Sequence, residues 1–361
     1  MRICISYYES IDNPWRVGGG LLTFWEIARR LAERGHHVTF VTGNCPGAST
    51  RKSGKVEHLR IGFAQPYRLS VLSYYVAYPL YLKRIEKEHD ILIEGWTSPF
   101  PLTPLCFRKP VVAWVHILLR SSALRELGAL GLPNCLSEKV FERIYDNYIL
   151  SSPHYMELSL TKNVLVCPPG VDQSLLTLKS DEDDYILFFG RLAAGGIYQK
   201  GIDLLFASFE KLREILPDVR LVVAGNCDSE AAKRVRIMCA RIGGVEFIGS
   251  VSEQLKRELI RKCLVVCMPS RFESFGIVAL EAQACGKPVV GFNIPGLNYV
   301  VRNGETGLLV HPFKVEQLTD ALAFILRNRS EREQLGRNGR QWAARFTWEK
   351  ATDSVEGFLL S

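Results

Sequence analysis

Residues Met268–Ala282 read Met-Pro-Ser-Arg-Phe-Glu-Ser-Phe-Gly-Ile-Val-Ala-Leu-Glu-Ala. A short apolar run, Leu264–Cys267, precedes them, and a helical pattern opens after Gly276. The stretch therefore reads as a strand, a loop and the start of a helix. The first turn of a helix has backbone N–H groups with no partner inside the helix, and that end attracts anions. Glu273, Ser274 and Gly276 stand at this mouth. In an open α/β sheet, ligands bind beyond the carboxyl ends of the strands, where such loops lie.

The rest of the chain repeats the same unit. Strand-like runs fall at Ile3–Ser6, Val38–Thr42, Asp90–Ile93, Val111–Val115 and Val164–Val166. A second set falls at Tyr185–Phe189, Arg220–Ala224, Val245–Ile248, Leu264–Cys267 and Pro288–Gly291. Amphipathic stretches such as Leu21–Glu33, Ile202–Leu216 and Glu230–Arg241 lie between them, and Leu318–Asn328, Glu331–Phe346 and Trp348–Leu360 close the chain. Alternation of this kind predicts parallel sheets covered by helices on both faces. Pro168-Pro169-Gly170 is a turn signal, and an acidic run, Asp181–Asp184, precedes the next strong strand. The expected organisation is therefore two doubly wound α/β domains, 1–172 and 173–346, facing a cleft.

Composition fits that reading. The 361 residues suffice for about two domains. Hydrophobic residues make up 47% and charged residues 23%, which excludes a disordered or low-complexity chain. The net charge is +7, of which the first 172 residues carry +5. This mild excess suits anionic partners, phosphate or a membrane surface. No basic stripe interleaved with aromatic residues accompanies it, so no nucleic-acid partner is expected. No apolar run approaches the roughly 18 residues of a membrane span. The N-terminus reads as a strand and not as a signal peptide. The ten cysteines have no paired CxxC spacing, which points to a reduced cytoplasmic interior.

The two glutamates of the opening stretch raise the question of a hydrolase pair. Eight helical steps give about 12 Å of rise and about 80° of offset, whereas glycosidase carboxylates sit roughly 5 to 9.5 Å apart. An extended ligand with hydroxyls at both ends and phosphate between fits better. The competing reading makes Glu273 a helix-capping charge and Glu281 a half-buried structural carboxylate.

Three further signals lie at strand ends. Phe189-Gly190-Arg191-Leu192 is followed by a glycine-bearing loop and Lys200-Gly201, and two cations at a strand-to-helix mouth suit a diphosphate. Gly18-Gly19-Gly20 opens a helix and lets backbone approach a ligand closely. It does not form the dinucleotide fingerprint: roughly ten residues separate it from the first strand, and the second strand ends in Val41-Thr42-Gly43-Asn44 with no acid. His116 directly follows the strand Val111–Val115, where an imidazole can reach a hydroxyl or phosphate oxygen. Asp181-Glu182-Asp183 resembles a metal-binding DxD but lies far from any strand end, and reads as solvated charge. Tyr67–Lys87 places Val71, Tyr75, Tyr78, Leu82 and Ile85 near one helical face, with Pro79 as a kink, as a core helix or a surface helix facing anionic lipid. Leu118–Leu132, with Arg120 and Arg125, raises the same question.

Taken together these signals resemble glycosyltransferase family 4, the retaining nucleotide-sugar transferases of the GT-B fold. The resemblance runs from the glycine-rich loop and Gly35-His36-His37-Val38 through Pro168-Pro169-Gly170-Val171-Asp172 to Gly304-Glu305-Thr306-Gly307-Leu308-Leu309-Val310. The paired glutamates around Phe275-Gly276, with Ala284-Cys285-Gly286-Lys287-Pro288-Val289-Val290 after them, are its most specific part. It implies a hexosyl transfer from a UDP- or GDP-linked sugar to a hydroxyl acceptor, a glycan or lipid-linked glycan, with no metal or other cofactor. Glu273, His116, Arg191 and Lys200 would form the catalytic group. Arg191 and Lys200 would hold the diphosphate, and Glu273 the sugar hydroxyls. Backbone at Phe275, Gly276 and Ile277 would meet sugar and phosphate, and Glu281 the ribose. His116 would lie beside the sugar, Gly19 and Gly20 at the β-phosphate, and the base near Gly249–Ser252. The last helix, 347–361, would pack back on the first domain. A phosphorylase or epimerase of the same fold, or a nonenzymatic nucleotide-sugar-binding subunit, remain alternatives. The sequence departs from the family in the long gap between Arg191 and Lys200, which holds Gly195-Gly196, and in Asn226-Cys227-Asp228, which replaces a glycine-rich turn.

Overall fold

The structure is a computed structural model that describes residues 1–12, 18–47, 51–96, 103–116, 132–154, 156, 162–178, 181–193 and 196–361, with backbone alone at 51–53, 68 and 132–136. The segment Leu118–Leu132 with Arg120 and Arg125, and Gly195 of the loop after Arg191, fall on residues whose side chains lie outside that description. The chain divides into two compact units, Met1–Pro168 with Trp348–Ser361, and Pro169–Thr347.

Among the described residues of the first unit, eight strands form one sheet. They are β1 (Arg2–Ser6), β2 (His37–Gly43), β3 (Arg51–Ser53), β4 (Val56–Ile61), β5 (Ile91–Gly95), β6 (Val111–Val115), β7 (Asn147–Leu150) and β8 (Asn163–Val166), in the order β3-β4-β2-β1-β5-β6-β7-β8. All neighbours pair in parallel except β3 with β4. The central strands are apolar throughout because helices cover both faces. β6 is buried at every position. The helix Gly19–Glu33 turns Leu21, Phe24, Ile27, Ala28, Leu31 and Ala32 toward the sheet, spaced three and four apart as one helical face requires. The C-terminal helix Trp348–Leu360 packs against it. Arg34 pairs with Asp353 at 2.6 Å and with Glu356 at 2.5 Å, and His36 bonds Glu356 at 2.8 Å.

The second unit carries β9 (Tyr185–Phe189), β10 (Arg220–Ala224), β11 (Val245–Gly249), β12 (Val265–Met268), β13 (Val289–Phe292) and β14 (Gly307–Val310), all parallel, in the order β11-β10-β9-β12-β13-β14. Residues 169–172 fall in this unit. Val171 bridges to Thr347, and the Asp172 carboxylate pairs with Arg257 at 2.6 Å.

Several elements were not legible in the sequence. β3 is polar throughout, and β4 carries Glu57, His58 and Arg60 and buries His58 together with Val56, so neither shows an apolar run. β7 is a four-residue run that follows the helix Leu132–Ile144 after a two-residue link. β14 lies in a stretch, Gly304–Val310, that the sequence reading had not assigned as a strand. The acidic run needs a partial correction. Asp181 and Asp183 are exposed, but Glu182 reaches inward to Arg332 at 3.2 Å and to the fully buried Lys287 at 3.6 Å.

The helix Tyr67–Ile85 contains Pro79 and has two apolar faces. Tyr74, Tyr78, Leu82 and Ile85 are buried, while Val71 and Tyr75 are partly so. The opposite face exposes Leu69, Leu72, Val76 and Leu80. No helix among the described residues is long and apolar enough to cross a membrane.

Beneath this helix lies Glu94, at the carboxyl end of β5, buried and accepting a hydrogen bond from the Tyr145 hydroxyl at 2.9 Å. Burial pushes its carboxyl up to about 7. The folded state therefore holds a proton that the unfolded chain releases near the usual carboxylate range, so this group's contribution is largest at low pH and fades as pH rises toward 7. Glu94→Gln is expected to gain stability over wild type as pH is raised from 5 to 8, by about 3 kcal/mol, read by urea unfolding. A difference that does not change with pH would overturn this.

Candidate active site

The sequence-predicted residues fall in two groups, one in each unit. In the second unit, β9 and β12 are direct neighbours, with Ile186 opposite Val265 and Leu187 opposite Val266. Their carboxyl-end loops therefore lie side by side. Arg191 follows β9, and its Nη2 donates to Gln199 Oε1 at 2.8 Å across the glycine-bearing loop. The backbone N–H of Arg271, in the loop after β12, donates to the Gln199 carbonyl at 2.8 Å. The Arg271 guanidinium grips Asp203 through both nitrogens, at 2.8 and 2.6 Å, and stacks on Tyr198. These bonds tie one loop to the other.

Lys200 Nζ donates to Glu273 Oε1 at 2.5 Å, and Ser270 Oγ donates to the same oxygen at 2.8 Å. Glu273 lies in the loop, not on the helix, and is buried. A carboxylate leaving water needs such partners. The two motifs that the sequence presented separately are thus joined by one ion pair.

Gly276 caps the helix Ile277–Ala284 with φ +97°, a backbone conformation open to glycine and strained for other residues. A Cβ there would come 3.3 Å from Leu297. Phe275 is buried against Tyr299 and Phe346, which leaves its backbone, not its ring, for any ligand. Glu281 sits on the same helix, buried, and Lys256 Nζ meets its Oε1 at 2.8 Å. Its Oε2 has no hydrogen-bond partner among the described residues. Burial pushes this carboxyl up, and the Lys256 ammonium is the largest opposing influence. Gly249 ends β11 with φ +82°, near the Cys227 thiol.

In the first unit, Gly19 and Gly20 open their helix, and His116 follows β6. A Cβ on Gly20 would lie 2.8 Å from the Tyr7 hydroxyl and 3.2 Å from His116 Nε2. These groups converge on one small space. His116 Nδ1 is 2.7 Å from Ser151 Oγ, which also accepts from Trp114 Nε1 at 3.2 Å. Nε2 is buried without a hydrogen-bond partner among the described residues. Burial lowers the imidazole to about 4, so the ring is neutral at neutral pH, held at one nitrogen and free at the other.

Sequence reasoning did not find Gln199, Ser270, Ser151 or Lys256. The first three are small or neutral polar residues with no pattern of their own. Lys256 had a signal: it falls four residues before Ile260 on the inner face of the helix Glu253–Lys262.

The description "Glycosyltransferase Family 4" matches residues 17–174, and "Glycosyl transferases group 1" matches residues 177–342. The chain belongs to glycosyltransferase family 4 and has the GT-B fold. An uncharacterised glycosyltransferase of Methanocaldococcus jannaschii is 29% identical over 66% of this chain and 66% of its own length. A D-inositol 3-phosphate glycosyltransferase of Stackebrandtia nassauensis is 34% identical over 54% of this chain and 48% of its own. The chain thus matches about half to two thirds of these relatives. Among solved structures, sucrose-phosphate synthase from Thermosynechococcus elongatus superposes with a TM-score of 0.81 at 22% identity, covering 99% of this chain and 98% of that one. HepE of Anabaena, in complex with UDP and glucose, superposes with a TM-score of 0.75 at 18% identity over 100% of both chains.

With its pKa near 4, His116 is expected to show no titration between pH 5.5 and 8 in NMR of the imidazole ring protons. A transition near 6.5 would mean that the ring is solvated.

Proposed function

We propose that this protein transfers a hexosyl group from a UDP- or GDP-linked sugar to a hydroxyl acceptor, with retention and without a metal. The observation that carries the reading is the Lys200–Glu273 pair, which unites the cationic loop after β9 with the helix mouth after β12. Diphosphate departure needs stabilised negative charge, and Arg191, Lys200 and the amides at Gly276 and Ile277 supply it. Glu273 holds sugar hydroxyls, with Lys200 anchoring its Oε1. Glu281 takes the ribose, and the base packs near Gly249–Ser252. In the first unit, His116 Nε2 is the group assigned to a ligand hydroxyl, and Gly19 and Gly20 leave backbone open to a ligand. The solved complexes of HepE with UDP and with UDP-glucose support a nucleotide-sugar donor. Retention follows if the acceptor attacks from the face the diphosphate leaves, passing its proton to the departing phosphate.

The acceptor in this reading is a glycan or lipid-linked glycan, met at the inner, cytoplasmic face of a membrane. Its support is the exposed apolar stripe Leu69, Leu72, Val76 and Leu80, which runs toward the exposed cations Lys83, Arg84 and Lys87. Apolar residues beside basic ones suit an anionic lipid surface. The nine described cysteines are free, in keeping with a reducing compartment.

A thermal shift with UDP-, GDP- or ADP-sugars, made without added metal, should appear for one nucleotide and weaken in Glu273→Ala. Arg191→Ala should lower turnover about 100- to 1000-fold. A product with inverted anomeric configuration would sink the mechanism, and consumption of donor by phosphate alone would favour a phosphorylase. Sedimentation with vesicles rich in anionic lipid should carry down the wild type at low salt and lose the Leu72→Asp/Val76→Asp variant. Equal recovery of both would remove the membrane contact.

A further inference from the structure

The helix Glu253–Lys262 buries Lys256 and Ile260, one turn apart. Lys256 thus occupies a seat on the inner face that an aliphatic residue would fill without cost. Its ammonium meets Glu281 Oε1 at 2.8 Å and Glu253 Oε2 at 2.7 Å, and lies 5.9 Å above the Phe189 ring. Glu253 is exposed and contributes little to that seat. The Glu281 side chain keeps only a tenth of its surface, and its Oε2 has no partner among the described residues. A carboxylate can accept about four hydrogen bonds. Here one oxygen is anchored and the other is left unfilled.

We infer that Lys256 is a positioning residue: it clamps Glu281 through Oε1 and keeps it an anion, so that Oε2 accepts from the vicinal hydroxyls of a nucleotide ribose. This rests on the reading of Glu281 as the ribose-binding carboxylate. Removing the ammonium would leave a buried carboxyl that takes up a proton and turns partly into a donor. An acceptor built for two hydroxyls would then be lost while the rest of the donor site stayed in place. Lysine at this seat therefore serves recognition of the ribose.

Calorimetric titration separates this from a structural role. Wild type, Lys256→Met, Lys256→Arg and Glu281→Gln are each titrated with UDP, GDP and ADP, and with the 2′,3′-dideoxy form of whichever binds the wild type. The wild type should prefer the ribonucleotide by about 10- to 100-fold, the value of a hydrogen bond to a charged group. Lys256→Met and Glu281→Gln should lose about tenfold for the ribonucleotide and less than about twofold for the dideoxy form, so that the preference collapses. Lys256→Arg should restore most of it. Equal losses for both nucleotides, or none for either, would make Lys256 a structural residue and overturn the inference. If Lys256→Met does not fold, Lys256→Gln, which keeps a donor for Oε1 without the charge, takes its place, and the same two outcomes decide the matter. A wild type that binds nucleotide with no preference for the diol would refute the ribose role while leaving the donor reading intact. A wild type that binds none of the three would refute the donor reading itself, and this inference with it.

Discussion

A parallel strand is buried on both faces, and that constraint governs where chemistry can sit in each unit. β6 and β12 are apolar and inaccessible along their whole length, so they can carry no functional side chain within the sheet. Function is pushed to the loops at their carboxyl ends. Arg191 follows β9, Glu273 follows β12, Gly249 ends β11, and His116 follows β6. The strand order then decides which loops meet. Because β12 pairs with β9, across a crossover of 75 residues between their ends, the loop of Arg191 and Lys200 lies against that of Glu273.

Buried charge is the second organising feature, and it is handled by pairing. Lys200 neutralises Glu273, Lys256 neutralises Glu281, and Lys287 with Arg332 neutralises Glu182. Pairing of this kind adds little net stability, since desolvation offsets much of the attraction. Its effect is to fix each carboxylate in a chosen orientation. The Glu182 cluster lies at the opposite end of β9 from Arg191, ahead of the strand's first residue. There the two buried cations hold Glu182, while the rest of the acidic run stays exposed as its composition suggests. Glu94 and His116 are treated differently: each is buried next to neutral hydroxyls, and burial shifts each toward its uncharged form.

The class of fold and most elements of the second unit are legible in the amino-acid order alone. Continuous apolar runs such as Tyr185–Phe189, and helices with apolar spacings of three and four, are local consequences of burial and need no partner to be read. The same order shows the chemical kinds at the strand ends: two cations after β9, two glutamates about a helix start, and a histidine after β6. Which of these meet is settled by the folded arrangement of the strands. Lys200 and Glu273 are 73 residues apart, and Lys256 and Glu281 are 25 apart. No periodicity encodes such contacts, because they follow from strand order. The second apolar face of Tyr67–Ile85 and the inward turn of Lys256 were decided in the same way, since burial is a property of what packs against a residue and not of the residue alone.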